Sequence, residues 1–145
     1  LILKKYVHIG IAVDTPRGLV VPVIRDVDKK TARELAAEVD AAGKRARDGK
    51  LTPDEMKGGT FTISNLGGIG GTSFNPIINH PEVAILGVAR SQTELVLRDG
   101  RPVERLMLPL CVAYDHRVID GADGARFISD MTRALANPYN LLLDF

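Results

Sequence analysis

Tyr6–Val13 (YVHIGIAV) alternates apolar and polar positions with the two-residue period of a half-buried strand. The Pro and Gly of Asp14–Gly18 (DTPRG) predict a turn, and Leu19–Ile24 (LVVPVI) predicts a returning strand in which Pro22 marks an edge or a bulge. The period then changes. From Thr31 the spacing is helical: Ala32, Leu35, Ala36, Val39, Ala42 and Ala46 share one face, Thr31 and Glu34 form a capping box, and Gly49 supplies the stop. Thr52–Glu55 repeats the start signal, with Pro53 at the first helical position, but only a short turn is predicted there.

Alternation returns in Thr60–Asn65 (TFTISN), while Leu66–Pro76 (LGGIGGTSFNP) is too rich in glycine for any regular element. Glu82–Ala89 (EVAILGVA) reads as a buried strand. Asp99–Gly100 suits the type I′ turn of a hairpin, whose second arm runs on into an apolar strand over Leu106–Tyr114. A final helix over Ala122–Leu135 places Ala122, Ala125, Ile128, Met131 and Leu135 on one side, and Asn137–Pro138 closes it. Strands, a helix, several strands and a helix, with no repeat or linker, predict an α+β fold: a mixed β-sheet with helices packed on it.

Composition narrows the class. The 145 residues amount to about one domain, with 45% hydrophobic and 26% charged positions. Lys and Arg number 19 against 18 Asp and Glu, so charge gives no reason to expect nucleic acid or an anionic membrane as partner. No apolar run approaches the roughly 18 residues that span a bilayer. The single cysteine, Cys111, allows no intrachain disulfide and fits a reducing compartment. The chain opens on Leu1 inside a strand-like run, which reads as the interior of a domain, not its start.

The densest chemistry lies in Tyr114–Phe127 (YDHRVIDGADGARF), between the apolar strand and the last helix. His116 is the strongest site candidate, because a histidine at the exit of a buried strand can reach a cleft as a general base. The same residues, with Arg117 and Asp120 beside it, equally suit a polar cluster that fixes a loop. Other candidates are weaker. The GGIGG run fits neither dinucleotide nor P-loop spacing, and Ser64 in TISNL lacks the G-x-S-x-G elbow of a hydrolase. His8 and His80 have no second metal ligand at useful spacing, and Cys111 reads as an inert core residue. Arg17 and Arg25 suit either a phosphate contact or surface pairing.

HRVIDG is similar to the His-X-X-X-Asp-Gly motif of the CoA-dependent acyltransferase superfamily, which includes chloramphenicol acetyltransferase and the dihydrolipoamide acyltransferases of 2-oxo acid dehydrogenase complexes. DTPRGLVVPVIRD, KLTPDEMKGGTFTISNLGGIGG, FNPIINHPEVAILGV and RLMLPLCVAYDHRVIDGADGARF resemble the second group, collinearly and over nearly the whole chain. The resemblance implies a chloramphenicol acetyltransferase-like fold, of which residues 1–145 form the C-terminal portion of the catalytic domain. The rest of that domain, with the lipoyl and subunit-binding modules, would lie upstream.

Residue by residue, it implies that His116 is the catalytic base and that Ser64 is the hydroxyl stabilising the oxyanion. Asp120 would order the active-site loop, and Asp14 would lie near the site as a weaker assignment. No metal is implied. The substrates would be coenzyme A and an acyl-dihydrolipoyl arm. Acetyl is favoured over branched-chain acyl or succinyl because SNLGGIGGTSF and HPEVAILGV look more like pyruvate-complex members. A non-catalytic core subunit is the alternative from another class. The family further implies a homotrimer in which His116 of one chain faces Ser64 of its neighbour. Such trimers build octahedral or icosahedral cores that dock decarboxylase and dihydrolipoamide dehydrogenase components. The setting would be the bacterial cytoplasm or the mitochondrial matrix.

Overall fold

The structure, a computed structural model, describes residues 1–137 and Tyr139. Along the chain lie β1 (Ile9–Ile11), β2 (Val13–Thr15), β3 (Gly18–Val20), β4 (Val23–Ile24), α1 (Ala32–Arg47), β5 (Phe61–Asn65), β6 (Ala84–Val88), β7 (Gln92–Arg98), β8 (Arg101–Met107), β9 (Leu110–Tyr114) and α2 (Gly121–Ala136). Five of these strands form one sheet in the order β4-β1-β5-β6-β9. The central strands β1, β5 and β6 run parallel, and the outer strands β4 and β9 run antiparallel to them. The expected mixed sheet with helices is what forms. Two further ribbons, β2-β3 and β7-β8, stand apart from it.

Proline placement explains where the expected strands break. Leu19–Ile24 is two strands, because Pro22 has no N–H to donate; its carbonyl instead accepts from Ile11 N at 2.9 Å. Leu106–Tyr114 is divided in the same way: β8 ends at Met107, and Pro109 offers only its carbonyl, to Ala89 N. Asp14, expected in a turn, pairs with Leu19 in the β2-β3 ribbon, and the reversal lies between Thr15 and Gly18. The Asp99–Gly100 turn forms as expected, with positive φ at both residues (52° and 76°), as a type I′ turn requires.

Both helices pack through narrower faces than their apolar periodicity suggests. The Thr31–Glu34 capping box forms in full and starts α1. Only Ala42, Gly43 and Ala46 of α1 are buried, against β2 and β4, while Ala32 and Ala36 are exposed. In α2 the buried residue is Gly124, with Ile128 and Met131 half-buried and Ala122, Ala125 and Leu135 exposed. A Cβ on Gly124 would come within 2.6 Å of Tyr114 Cε1, so the contact between α2 and β9 needs a glycine there. The Pro138 part of the expected helix stop lies outside the described residues.

The core sits along β6, where Ala84, Ile85 and Leu86 are buried, and is completed by Val13, Ile24, Ala89 and the α1 alanines. Thr62 is the most buried large side chain, at 1% exposure, and donates to the Glu82 carboxylate at 2.6 Å. His8 is structural, as expected: it is buried against Tyr6, and its Nδ1 accepts from Asp26 N at 2.9 Å.

Candidate active site

The β9 strand delivers the chain to one end of the sheet, and a tight turn carries it into α2. Asp115 N donates to Val83 O at 2.8 Å and thereby extends the β6-β9 ladder one step past Tyr114. The Asp115 carbonyl then accepts from both Val118 N and Ile119 N. Its carboxylate accepts from Arg117 N (3.0 Å), Nε (2.9 Å) and Nη2 (2.6 Å). His116 lies inside this turn, exposed, with its ring 5.7 Å from that of Tyr114. Asp120 is the N-cap of α2; its Oδ1 accepts from Asp123 N at 2.8 Å, and the helix starts at Gly121, one residue before the expected start. A polar cluster thus fixes the loop, and the histidine lies exposed within it.

Ser64 occupies a different end of the same sheet. On β5 it pairs with Gly87 of β6, which pairs with Cys111 of β9, so the three share one row. The row that pairs Ala84 with Tyr114 lies three residues away, toward the His116 turn. Three residues span roughly 10 Å along the strands, and two strand spacings add roughly 10 Å across. Ser64 and His116 of one chain are therefore apart, and neither side chain has a hydrogen-bond partner among the described residues.

Asp14 falls on the serine's side, since β1 and β5 run parallel and β2 follows β1 directly. It is exposed and borders a cleft with Asp40, Arg47 and Ile69, the last from the glycine-rich segment after Ser64. The four predicted site residues thus divide into two pairs, His116 with Asp120 and Ser64 with Asp14, one pair at each end of the sheet.

Gly87 shapes the surroundings of Ser64. A Cβ there would collide with Cys111 Sγ and meet Phe74 at 3.0 Å and Pro76 at 3.2 Å, so the glycine leaves a notch that the returning loop fills. Cys111 is half-buried at the edge of the core and not within it, but it is unreactive as expected. Its thiol donates to Phe74 O at 2.9 Å, and burial pushes its pKa up. Arg25 is committed to the carbonyls of Asp54 and Lys57, which leaves it structural. Asp115, Gly87 and Phe74 were not candidates from sequence, and Arg117 was read there only as part of a loop-fixing polar cluster. An Asp two residues before an Arg, with a histidine between them, is the one signal that points to the pairing of Asp115 with Arg117. Among the described residues no group of three His, Cys, Asp or Glu side chains is placed to hold a metal ion, and no helix is long and apolar enough to cross a membrane.

Known proteins give this geometry a context. The family described as 2-oxoacid dehydrogenases acyltransferase (catalytic domain) matches residues 1–143. The dihydrolipoyllysine-residue acetyltransferase component of the pyruvate dehydrogenase complex of Haemophilus influenzae is 57% identical over 143 residues. Its Pseudomonas aeruginosa counterpart is 58% identical over 144. Each match covers 99% of this chain, which spans about a quarter (25% and 26%) of those bacterial relatives.

Among solved structures, the dihydrolipoamide acetyltransferase of Azotobacter vinelandii superposes with a TM-score of 0.93 at 56% identity, covering 97% of this chain and 58% of that one. That work concerns the roles of a serine, a histidine and an asparagine in its catalytic mechanism. The cubic core of a pyruvate dehydrogenase multienzyme complex superposes with a TM-score of 0.92, also at 56% identity, covering 96% of this chain and 57% of that one. With a match from end to end in sequence and in fold, the chain belongs to the family of 2-oxoacid dehydrogenase acyltransferases and matches its catalytic domain.

Proposed function

We propose that this chain supplies the catalytic site of a dihydrolipoamide acetyltransferase, moving acetyl between a dihydrolipoyl arm and coenzyme A. His116 acts as the base. A thiol of pKa about 8.5 is only partly ionised at neutral pH, and an imidazole nitrogen with a free lone pair takes its proton as the sulfur attacks the thioester carbon. The carbonyl oxygen becomes an oxyanion, to which the Ser64 hydroxyl donates. Collapse of the tetrahedral adduct expels the second sulfur as thiolate, which recovers the proton from the imidazolium. Acyl group, proton and electron pairs balance without any further reagent.

One observation carries this reading. The sheet register sends Ser64 and His116 to opposite ends, each without a hydrogen-bond partner among the described residues, so each is available to complete a site with another copy. Spacing supports it as well. In the A. vinelandii enzyme the serine and histidine are 52 positions apart and the asparagine follows by four; Ser64, His116 and Asp120 repeat that spacing. Asp120 replaces the asparagine, and either side chain can accept at a helix N-cap. The residues 1–145 then serve as the C-terminal portion of the catalytic domain in a homotrimer, within a cubic-type core that engages the other components of a pyruvate dehydrogenase complex in a bacterial cytoplasm.

The test is complementation between defective chains of the full-length enzyme. His116→Ala and Ser64→Ala assemblies are each expected to be nearly inactive. Dissociated, mixed in equal amounts and reassembled, they are expected to recover about a quarter of wild-type turnover, the share of junctions that join an intact histidine to an intact serine. Mixtures as inactive as both parents would overturn the shared site.

A further inference from the structure

We propose that Asp115 and Arg117 form a clamp whose task is to position His116, so that both are positioning residues for acyl transfer. The inference rests on the reading of His116 as the base. Asp115 Oδ1 accepts from Arg117 N, which closes an Asx turn with His116 as its central residue. The backbone torsions of His116 lie within that ring, so the side-chain bond from Asp115 fixes the direction in which the imidazole leaves the chain.

Arg117 locks the ring in turn. Its Nε and Nη2 hold the same carboxylate, giving the fork-like geometry that a lysine cannot supply. The rest of Asp115 anchors the turn to the fold: its N–H is tied to Val83 O on the β6 side, and its carbonyl accepts from Val118 N and Ile119 N. Every polar group of Asp115 is thus used; its side-chain bonds all run to Arg117, and none runs to the imidazole. The carboxylate faces Arg117, so it is no Asp–His dyad partner. Arg117 itself is 89% exposed along its side chain, and among the described residues it makes no other side-chain bond that would explain its orientation.

Burial contributes little to this segment. His116, Arg117, Val118 and Asp120 are all exposed, and the one ring that meets the imidazole among the described residues is Tyr114, at 5.7 Å between centroids, so packing alone does not define its direction. A base that must meet a thiol and a serine from outside its own chain needs a fixed direction, because a displacement of about 1 Å can cost on the order of 10²-fold in rate. In this turn hydrogen bonds supply what packing does not.

The experiment uses the full-length assembled acyltransferase, with kcat, KM for coenzyme A and particle size measured together. Asp115→Ala is expected to lower kcat by roughly 10²-fold while leaving KM within about twofold, because binding uses other residues. Asp115→Asn keeps the acceptor for Arg117 N but not the ion pair, and Arg117→Ala keeps the Asx turn but not the lock. Both are expected to fall between wild type and Asp115→Ala, with Arg117→Lys no better than partial. The decisive arm places Asp115→Ala in a His116→Ala background, where it is expected to cost nothing further because the clamp acts only through the histidine.

A full second loss in that background would show a general structural role and overturn the proposal. Wild-type kcat in Asp115→Ala would also overturn it, and would leave the assignment of His116 standing as long as His116→Ala alone is defective. If Asp115→Ala fails to assemble, Asp115→Asn and Arg117→Ala decide: wild-type kcat in both sinks the clamp, and graded loss at unchanged KM sustains it.

Discussion

Arg117 donates to Asp115 from its side chain and its backbone, and this holds the carboxyl well below its ordinary 3.8, at about 2. As pH falls, the unfolded chain therefore takes up the proton first. The stability owed to the clamp is complete above about pH 4 and is lost between about pH 4 and pH 2. Removing the titrating group removes that dependence. Asp115→Asn is expected to flatten the acid limb of a melting-temperature profile in this window and to leave the profile above pH 5 unchanged in shape. The Arg117 side of the pair is open to solvent, at 89% exposure against 23% for Asp115, so added salt is expected to weaken the effect. Glu82 carries the opposite sign: burial raises its pKa against the pull of Thr62 and Asn79, so the folded chain holds that proton more tightly than the unfolded one.

Among the elements, α2 meets β9 through one missing side chain. Alanine is the better helix former by about 1 kcal/mol, which alone would favour Gly124→Ala. The added carbon would approach Tyr114 Cε1 to 2.6 Å and the Tyr114 ring carbon Cζ to 3.0 Å, however, and overpacking of that kind costs about 1–3 kcal/mol. The clash is rigid on both sides, so it wins. Gly124→Ala is expected to lower the denaturation midpoint and to disturb the His116 turn, which lies between β9 and α2.

Much at this scale was legible in the sequence. Thr31 and Glu34 announced α1, and the Asp99–Gly100 pair announced its turn, because caps and tight turns are decided by residues adjacent in the chain. The break at Pro22 was legible in part, as an edge or a bulge, but the one at Pro109 was missed, since the apolar run over Leu106–Tyr114 reads as one strand. The separation of Ser64 from His116 was anticipated only through the family resemblance and not from any local pattern. It arises from β6 pairing parallel with β5 and antiparallel with β9, and no local pattern encodes register between strands distant in sequence. For the same reason His116 and Arg117 stood out as polar groups after an apolar strand, while Asp115 stayed hidden, since its importance lies in bonds that exist only once the turn is closed.

At the scale of the whole molecule, the β7-β8 ribbon exposes an apolar face. Leu95, Leu97 and Leu106 point to one side of it at 73%, 78% and 72% exposure. In the proposed assembled core, apolar surface gathered in this way is expected to be covered by other protein. Leu95→Lys with Leu97→Lys is expected to leave the circular dichroism of the chain unchanged while shifting sedimentation of the full-length enzyme toward smaller species; a wild-type sedimentation profile would show that this face is not used.

On the proposed shared site, the opposed ends of the central sheet would also govern how damage spreads in an oligomer. A chain that has lost only its imidazole disables one junction and can still lend its hydroxyl to the other. A chain that has lost both groups disables two. Under that reading the effect of one faulty copy is graded by how many ends of the sheet it strikes.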